Sequence, residues 1–308
     1  MSRTLKDYLV ISLKGVAMGA ADVVPGVSGG TIAFISGIYS ELIESINAFN
    51  FKNLKLLKSD GFMAMFKAVN GSFLLSLFIG IAISVFSLAQ LFKWLLETKP
   101  IFVWAFFFGL VLASVLFIGK QIKNWSFYNI VLLVIGAVSA YYVTIIPAVN
   151  SANSSPLFLI LAGALAICAM ILPGISGAFI LLLLGAYKPA LDAIHNFDIK
   201  KIALLGFGAI IGLLTFSRVL KWLLDNYKNA TLALLTGFVI GSLNKIWPWK
   251  KILLSEIIND KLMILEEKSI SPFQFEGDNH LFMAIILAIV GFAVILLLEK
   301  LGTKKEKN

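Results

Sequence analysis

The sequence predicts an all-α integral membrane protein with two inverted repeats, each a broken, re-entrant helical hairpin followed by three transmembrane helices. The first observation behind this prediction is composition. Of the 308 residues, 59% are apolar and only 14% are charged, far outside the range of soluble proteins. The second is a series of long apolar runs, most of them close to the roughly 20 residues that a spanning helix needs. The third is an internal duplication.

The duplication is carried by a motif rich in glycine and hydroxyl side chains. The stretch "VVPGVSGGTIAFISGIY" at residues 23–39 recurs without a gap as "ILPGISGAFILLLLGAY" at residues 171–187, 148 positions later. Beyond the motif the offset falls to 128, because "LFKWLLE" at 91–97 matches "VLKWLLD" at 219–225. The first half therefore contains an insertion, which we place within residues 52–72.

The predicted elements follow from this alignment of the chain on itself. Each repeat begins with a hairpin around the glycine motif and continues with three apolar spans. In the first repeat, residues 1–148, the elements are the hairpin motif 15–46, the insertion within 52–72 and the spans 73–96, 101–118 and 128–146. In the second repeat, residues 149–308, they are the hairpin motif 157–194, the spans 202–224, 230–247 and 281–298, and a long loop at 248–280.

The orientation of each motif is predicted from lysine and arginine, which are enriched in cytoplasmic loops. If both motifs turn back, the segments 41–72, 119–128 and 218–229 and both termini are cytoplasmic, and together they hold most of the basic residues. Three crossings per repeat is an odd number, so the second repeat is inverted relative to the first. Inverted repeats with broken helices are the architecture of secondary transporters.

The two motifs together predict an anion site. Pro25 and Pro173 end a helix near mid-membrane, so that the next helix begins with free N–H groups. Helix N-termini attract anions, and two that face each other form a cradle for one. The hydroxyls can donate to phosphate oxygens, although they could instead cap helices, and the glycines could instead serve helix packing. The predicted phosphate-binding residues of the motifs are Gly26, Ser28, Gly29, Gly30, Thr31, Gly174, Ser176 and Gly177.

Two charged residues break the symmetry of the repeat. Asp22 and Arg218 stand where the other half has Met170 and Gln90. A carboxylate beside an intramembrane helix break predicts a role in coupling or gating, with a structural pair to a lysine or arginine as the alternative. Arg218 suits a bidentate phosphate contact, with snorkelling to the interface as its alternative.

Several other chemistries are not expected. The lone Cys168 cannot form an intrachain disulfide, and no cysteine and histidine cluster has metal-ligand spacing, so we predict neither a metal nor a cofactor. No phosphate-binding loop of an ATPase is present in the sequence. The net charge of +9 suits cytoplasmic loops and anionic lipids and requires no nucleic-acid partner.

The stretches "MGAADVVPGVSGGTIAFISGIY" and "ILPGISGAFILLLLGAY" resemble the paired motifs of the bacterial polyprenyl-phosphate (undecaprenyl-phosphate) translocases of the PopT type, formerly a domain of unknown function. The resemblance covers nearly the whole chain. It implies a flippase in the bacterial cytoplasmic membrane that returns undecaprenyl phosphate from the outer to the inner leaflet for cell-envelope synthesis. We expect H+ or Na+ as the coupling ion. The functional residues that the resemblance implies are Asp22, Pro25, Gly26, Ser28, Gly29, Gly30, Thr31, Pro173, Gly174, Ser176 and Gly177.

Two other functions are alternatives. An undecaprenyl-pyrophosphate phosphatase-like enzyme uses a PGxSRSG loop, whereas this chain reads PGVSGGT and PGISGAF and lacks the arginine. Cleavage of a phosphoanhydride needs charge stabilisation and a positioned nucleophile or water, for which the motifs offer no candidates, so we predict no enzymatic activity. A small-anion permease would need a narrow polar pore instead of a lateral opening to the bilayer. The sequence leaves open the oligomeric state and the role of residues 248–280.

Overall fold

The computed structural model describes residues 3–24, 27–147, 155–258 and 261–303. The described residues are mostly helical. In chain order the helices are α1 (Leu5–Val23), α2 (Gly29–Ile35), α3 (Tyr39–Asn47), α4 (Phe51–Ser59), α5 (Phe62–Ala68), α6 (Gly71–Thr98), α7 (Pro100–Gln121), α8 (Phe127–Ile145), α9 (Pro156–Ile171), α10 (Gly177–Leu183), α11 (Tyr187–His195), α12 (Ile199–Asn226), α13 (Lys228–Ser242) and α14 (Leu281–Thr303). Strands β1 (Lys250–Ile258) and β2 (Lys261–Ser269) and a short 3-10 turn, Pro272–Gln274, lie between α13 and α14.

Four helices in the described part of the chain are long and apolar enough to cross a membrane, or five if the bent pair α10 and α11 counts as one broken span. The four are α6, α7, α8 and α12, at the predicted spans 73–96, 101–118, 128–146 and 202–224. Shorter apolar helices are α9 and the Leu281–Leu296 part of α14. The span predicted at 230–247 was too long, because α13 ends at Ser242, before Asn244 and Lys245 turn toward the strands.

The first long helix of each half packs against the helix that precedes its glycine motif, α6 on α1 and α12 on α9. Glycines make both crossings close. A Cβ atom at Gly15 would meet the carbonyl oxygen of Leu77, and one at Gly163 would meet that of Leu205. Gly163 and Leu205 lie 148 and 128 positions after Gly15 and Leu77, the two offsets of the duplication. The duplicated sequence therefore builds the same helix crossing twice.

The remaining long helices pair between the halves of the chain. Helix α7 packs on α14, and α8 packs on α13. Here too glycines allow close approach, since a Cβ atom at Gly109 would meet the carbonyl of Ala288 and one at Gly237 would meet that of Leu133. Each half thus contributes one helix to each of these pairs, and the two halves share one interleaved core.

Two segments depart from the repeated pattern. The region predicted as an insertion, 52–72, contains most of α4, all of α5 and the start of α6. The region predicted as a loop, 248–280, holds an antiparallel two-stranded sheet, in which Lys250 pairs with Ser269. The described chain is otherwise helical, as the predicted all-α class requires, and the prediction of a loop was wrong at this hairpin. Its strands carry "KKILLSEII" and "KLMILEEKS", in which apolar and charged residues are too mixed for a membrane span but suit a half-exposed sheet.

The crossing of α9 and α12 gives a matched pair of substitutions. A Cβ atom at Gly208 would meet the Ile160 carbonyl, whereas one at Gly206, on the same helix, would meet no atom within 4 Å. Gly208→Ala should therefore force the helices apart and lower the free energy of unfolding by about 1–3 kcal/mol. Gly206→Ala raises the helix propensity by the same amount but introduces no clash, so it should not lower the free energy of unfolding. Thermal unfolding of the two purified variants tests this, and equal melting temperatures would contradict the crossing.

Candidate functional site

The two glycine motifs touch each other in the interior of the protein. The backbone N–H of Gly174 donates to the Thr31 hydroxyl oxygen at 2.8 Å. The Ser28 hydroxyl donates to the carbonyl oxygen of Met170 at 3.1 Å, at the end of α9. Pro25 and Gly26, the predicted helix break and first phosphate ligand, lie outside the described residues. The described parts of the two motifs are thus in contact, although they lie more than a hundred residues apart in the sequence.

The N-terminus of α2 is already occupied by side chains of its own motif. Asp22 accepts a hydrogen bond from the Gly29 N–H through its Oδ1 at 2.7 Å. The Ser28 hydroxyl oxygen accepts from the Gly30 N–H at 3.1 Å, and its backbone carbonyl accepts from Thr31. The N–H groups expected to be free for an anion therefore have protein partners in this structure. The negatively charged group at this helix N-terminus is the Asp22 carboxylate.

Close packing explains the paired glycines of this motif. A Cβ atom at Gly29 would come within 2.5 Å of Asp22 Oδ2, and one at Gly30 would come within 2.7 Å of the Ile171 carbonyl. The same Ile171 carbonyl accepts a hydrogen bond from the Tyr39 hydroxyl at 3.1 Å. Any side chain at Gly29 or Gly30 would displace either the carboxylate or the end of α9.

The second motif is built differently. Gly174 has a φ of +89°, a conformation that favours glycine, and its backbone packs against Phe238 and Ser242 of α13. Pro173 and Ser176 are buried, yet the Ser176 side chain makes no capping hydrogen bond to α10. Every residue of α2 is buried, whereas no residue of α10 is. The two related short helices therefore differ in how far the protein encloses them.

The two symmetry-breaking charges lie in different surroundings. Asp22 bonds to a backbone N–H, and no lysine or arginine pairs with it in the described part of the chain. Arg218 is exposed on α12 and makes no hydrogen bond or ion pair with any described residue, so this structure does not bring it to the motifs. Lys14 instead reaches the motif from α1, since its ammonium donates to the Ser36 carbonyl at the end of α2 at 2.6 Å.

A basic cluster beside the second motif was not predicted from sequence. The ammonium groups of Lys245 and Lys250 both contact Glu267 Oε1, at 2.8 and 2.7 Å. The Lys245 ammonium also lies 4.4 Å from the ring centroid of Phe179, in α10. Burial lowers the pKa of Lys250 to about 8, although the Glu267 carboxylate acts in the opposite direction. The hairpin of β1 and β2 thus brings charge to the second motif.

Comparison with known proteins identifies the family. A family model described as undecaprenyl phosphate translocase-like matches residues 18–263, which include both motifs. The chain belongs to this family. A protein of Vibrio cholerae named polyprenyl-phosphate transporter is 45% identical over 309 residues, covering 99% of this chain and 100% of the relative. A protein of Staphylococcus aureus with the same name is 32% identical over 253 residues, covering 77% of this chain and 85% of that one. No solved structure matches.

Family membership bears on the choice between functional classes. The names of the family and of both relatives indicate a transporter and not an enzyme. The apolar helices and the family assignment together indicate that this chain is a multi-pass membrane protein. Lys245 and Lys250 lie inside the matched region and Glu267 lies just beyond it.

The contact between the motifs can be tested at Thr31. Thr31→Val removes the acceptor of the Gly174 N–H and should lower the free energy of unfolding by about 1–3 kcal/mol, because that N–H is left without a partner. Thr215→Val is the matched control, since the Thr215 hydroxyl bonds only to carbonyls of its own helix. Thermal unfolding in detergent measures both variants. A loss as large for Thr215→Val would mean that the Thr31 contact contributes nothing specific.

Proposed function

We propose that this chain is a flippase that carries undecaprenyl phosphate from the outer to the inner leaflet of the cytoplasmic membrane, where it re-enters cell-envelope synthesis. The observation that carries the proposal is the direct contact of the two glycine motifs, from Gly174 to Thr31, in a chain whose relatives are named polyprenyl-phosphate transporters. The phosphate headgroup binds at these breaks, and the isoprenoid tail stays in the lipid.

The architecture proposed for this function is a pair of inverted repeats, with both termini on the cytoplasmic side. Its support is the spacing of elements: α2 and α10 begin 148 positions apart, and α6 and α12 begin 128 apart. The exchanged pairing of α7 with α14 and α8 with α13 is what a pseudo-two-fold axis between the halves produces. Rocking of such halves exposes one central site to each leaflet in turn.

The difference between the two short helices supports an alternating cycle. A site that opens to one side at a time has one enclosed and one accessible half, and here α2 is fully buried while α10 is not. In the opposite state, the proposed roles of the two hairpins exchange. The phosphate then contacts the start of α2, at Ser28, Gly29, Gly30 and Thr31, after first contacting Gly174, Ser176 and Gly177.

Asp22 is proposed to gate that exchange. Its carboxylate holds the Gly29 N–H at 2.7 Å and therefore competes with an incoming phosphate for the same donor. Protonation removes the negative charge, weakens this hydrogen bond and ends the repulsion between carboxylate and phosphate. Proton binding would in this way precede phosphate transfer to the first motif, and an inward proton gradient would drive inward movement of the lipid. A bound Na+ would act through the same carboxylate.

The transport activity is tested in liposomes that contain a fluorescent polyprenyl phosphate. An external quencher measures the fraction of lipid in the outer leaflet over time, and the headgroup is analysed afterwards. We expect protein-dependent movement of an intact monophosphate. Protein-dependent loss of the phosphate would instead indicate an enzyme, and the absence of any movement would remove the flippase proposal.

The gating role is tested with Asp22→Asn, which keeps the shape of the side chain without its charge. Wild-type transport should accelerate when the side from which the lipid leaves is made acidic, whereas the rate of Asp22→Asn should not respond to the pH gradient. Asp60→Asn, at an exposed carboxylate after α4, is the control and should behave as wild type. An Asp22→Asn protein that keeps the full response to the gradient would end the coupling proposal, and substitution of Na+ by K+ in the buffers tests the other ion.

A further inference from the structure

The cluster of Lys245, Lys250 and Glu267 contains more positive charge than a structural ion pair requires. Both ammonium groups contact one carboxylate oxygen, Glu267 Oε1, so the cluster has two positive charges and one negative charge. No other acidic side chain in the described part of the chain bonds to either lysine. A buried positive charge without a counter-ion is unfavourable, and the arrangement therefore calls for an additional anion.

The cluster is shielded from water but can still be reached. The side chains of Lys245, Lys250 and Glu267 are 18%, 10% and 15% exposed. Aromatic rings cover part of both ammonium groups: Phe179 lies 4.4 Å from Lys245, and Trp104 lies 4.8 Å from Lys250. These rings lower the cost of holding two cations together but supply no negative charge.

The position of the cluster connects it to the second glycine motif. Lys245 follows the end of α13 by one turn, and α13 packs against Gly174 through Phe238 and Ser242. Phe179, which contacts the Lys245 ammonium, lies in the first turn of α10. An anion beside Lys245 would therefore stand next to the motif that is the less enclosed of the two.

We propose that Lys245 and Lys250 form a phosphate-monoester site at the approach to the second motif, with Glu267 holding the two ammonium groups in position. Lysine ammonium groups bind phosphate as point charges, and a phosphate monoester carries one to two negative charges at neutral pH, which is the charge that the cluster needs. The inference rests on the proposed function for the source of the phosphate, a polyprenyl headgroup. Free inorganic phosphate offers the same chemistry and is separated from it by the test.

The test measures binding to the purified full-length protein in nanodiscs of phosphatidylcholine, by calorimetric titration. The probes are farnesyl phosphate, inorganic phosphate and uncharged farnesol. We expect wild-type protein to bind farnesyl phosphate. Lys245→Gln should weaken this binding about tenfold or more, because one charge-assisted hydrogen bond is lost. Lys245→Arg keeps the positive charge and should bind farnesyl phosphate as wild type does. Farnesol binding should be the same in all variants. Lys251→Gln is the matched control, since Lys251 is the exposed neighbour that pairs with Glu276.

The Glu267→Gln variant distinguishes an anion-binding cluster from a cluster that only stabilises the fold. Removal of the carboxylate leaves both ammonium groups for the ligand, so farnesyl phosphate should bind several-fold more tightly even though the protein becomes less stable. A purely structural cluster predicts that Glu267→Gln and Lys245→Gln weaken binding together, and that result would overturn the proposal. So would a Lys245→Gln protein that binds as wild type does. If Lys245→Gln does not fold, Glu267→Gln still decides the question, because a ligand site predicts tighter binding of farnesyl phosphate in this variant and a structural cluster predicts weaker binding.

The liposome assay keeps this inference apart from the proposed function. If wild-type protein moves the lipid but Lys245→Gln and Lys251→Gln bind farnesyl phosphate equally, the flippase stands and the site fails. If binding depends on Lys245 but no lipid moves, the site stands and the flippase fails. Inorganic phosphate that binds as tightly as farnesyl phosphate, with the same dependence on Lys245, supports the site and identifies free phosphate as its ligand.

Discussion

The structure depends on one constraint, that a backbone polar group inside a bilayer must find a partner within the protein. A helix that stops in the membrane exposes carbonyls at its end, and the helix that follows exposes N–H groups. Here the two helix breaks satisfy each other: Ser28 donates to the end of α9, and Thr31 accepts from Gly174. Asp22 and Ser28 satisfy the start of α2 within its own motif, and the bonds to Met170 and Gly174 then hold the two motifs together.

The two motifs contribute different groups to the contact between them. The first motif contributes the side chains, Ser28, Thr31 and Tyr39, while the second contributes backbone groups. Asp22 then completes the first motif as an internal anion. A duplicated sequence thus gives a contact that is not symmetric, and one reason is that the counterpart of Thr31 is Phe179, which has no hydroxyl.

Sequence reasoning found the features that are local or repeated. The offsets of 148 and 128, read from letters, are the same offsets that relate α2 to α10 and α6 to α12. The positions of four spans also followed from apolar length. What the sequence could not show are contacts between distant segments. No sequence periodicity predicts the ion pair between Glu267 and Lys245. No sequence pattern predicts that Asp22 accepts a hydrogen bond from the Gly29 N–H. Arg218 looked like a phosphate ligand by residue type, but the rotation of α12 turns it outward, which depends on packing that no single sequence displays.

Under the proposed function, the placement of charge accounts for direction in the cycle. The second motif has two ammonium groups beside it, and the first has a carboxylate inside it. A phosphate is therefore attracted to the second motif and repelled from the first until Asp22 is neutralised. A carrier must also release its cargo, and cationic groups at both motifs would bind the phosphate too tightly for release. The Asp22 carboxylate prevents that, because its return to the Gly29 N–H expels the phosphate from the first motif and resets the protein for the next lipid.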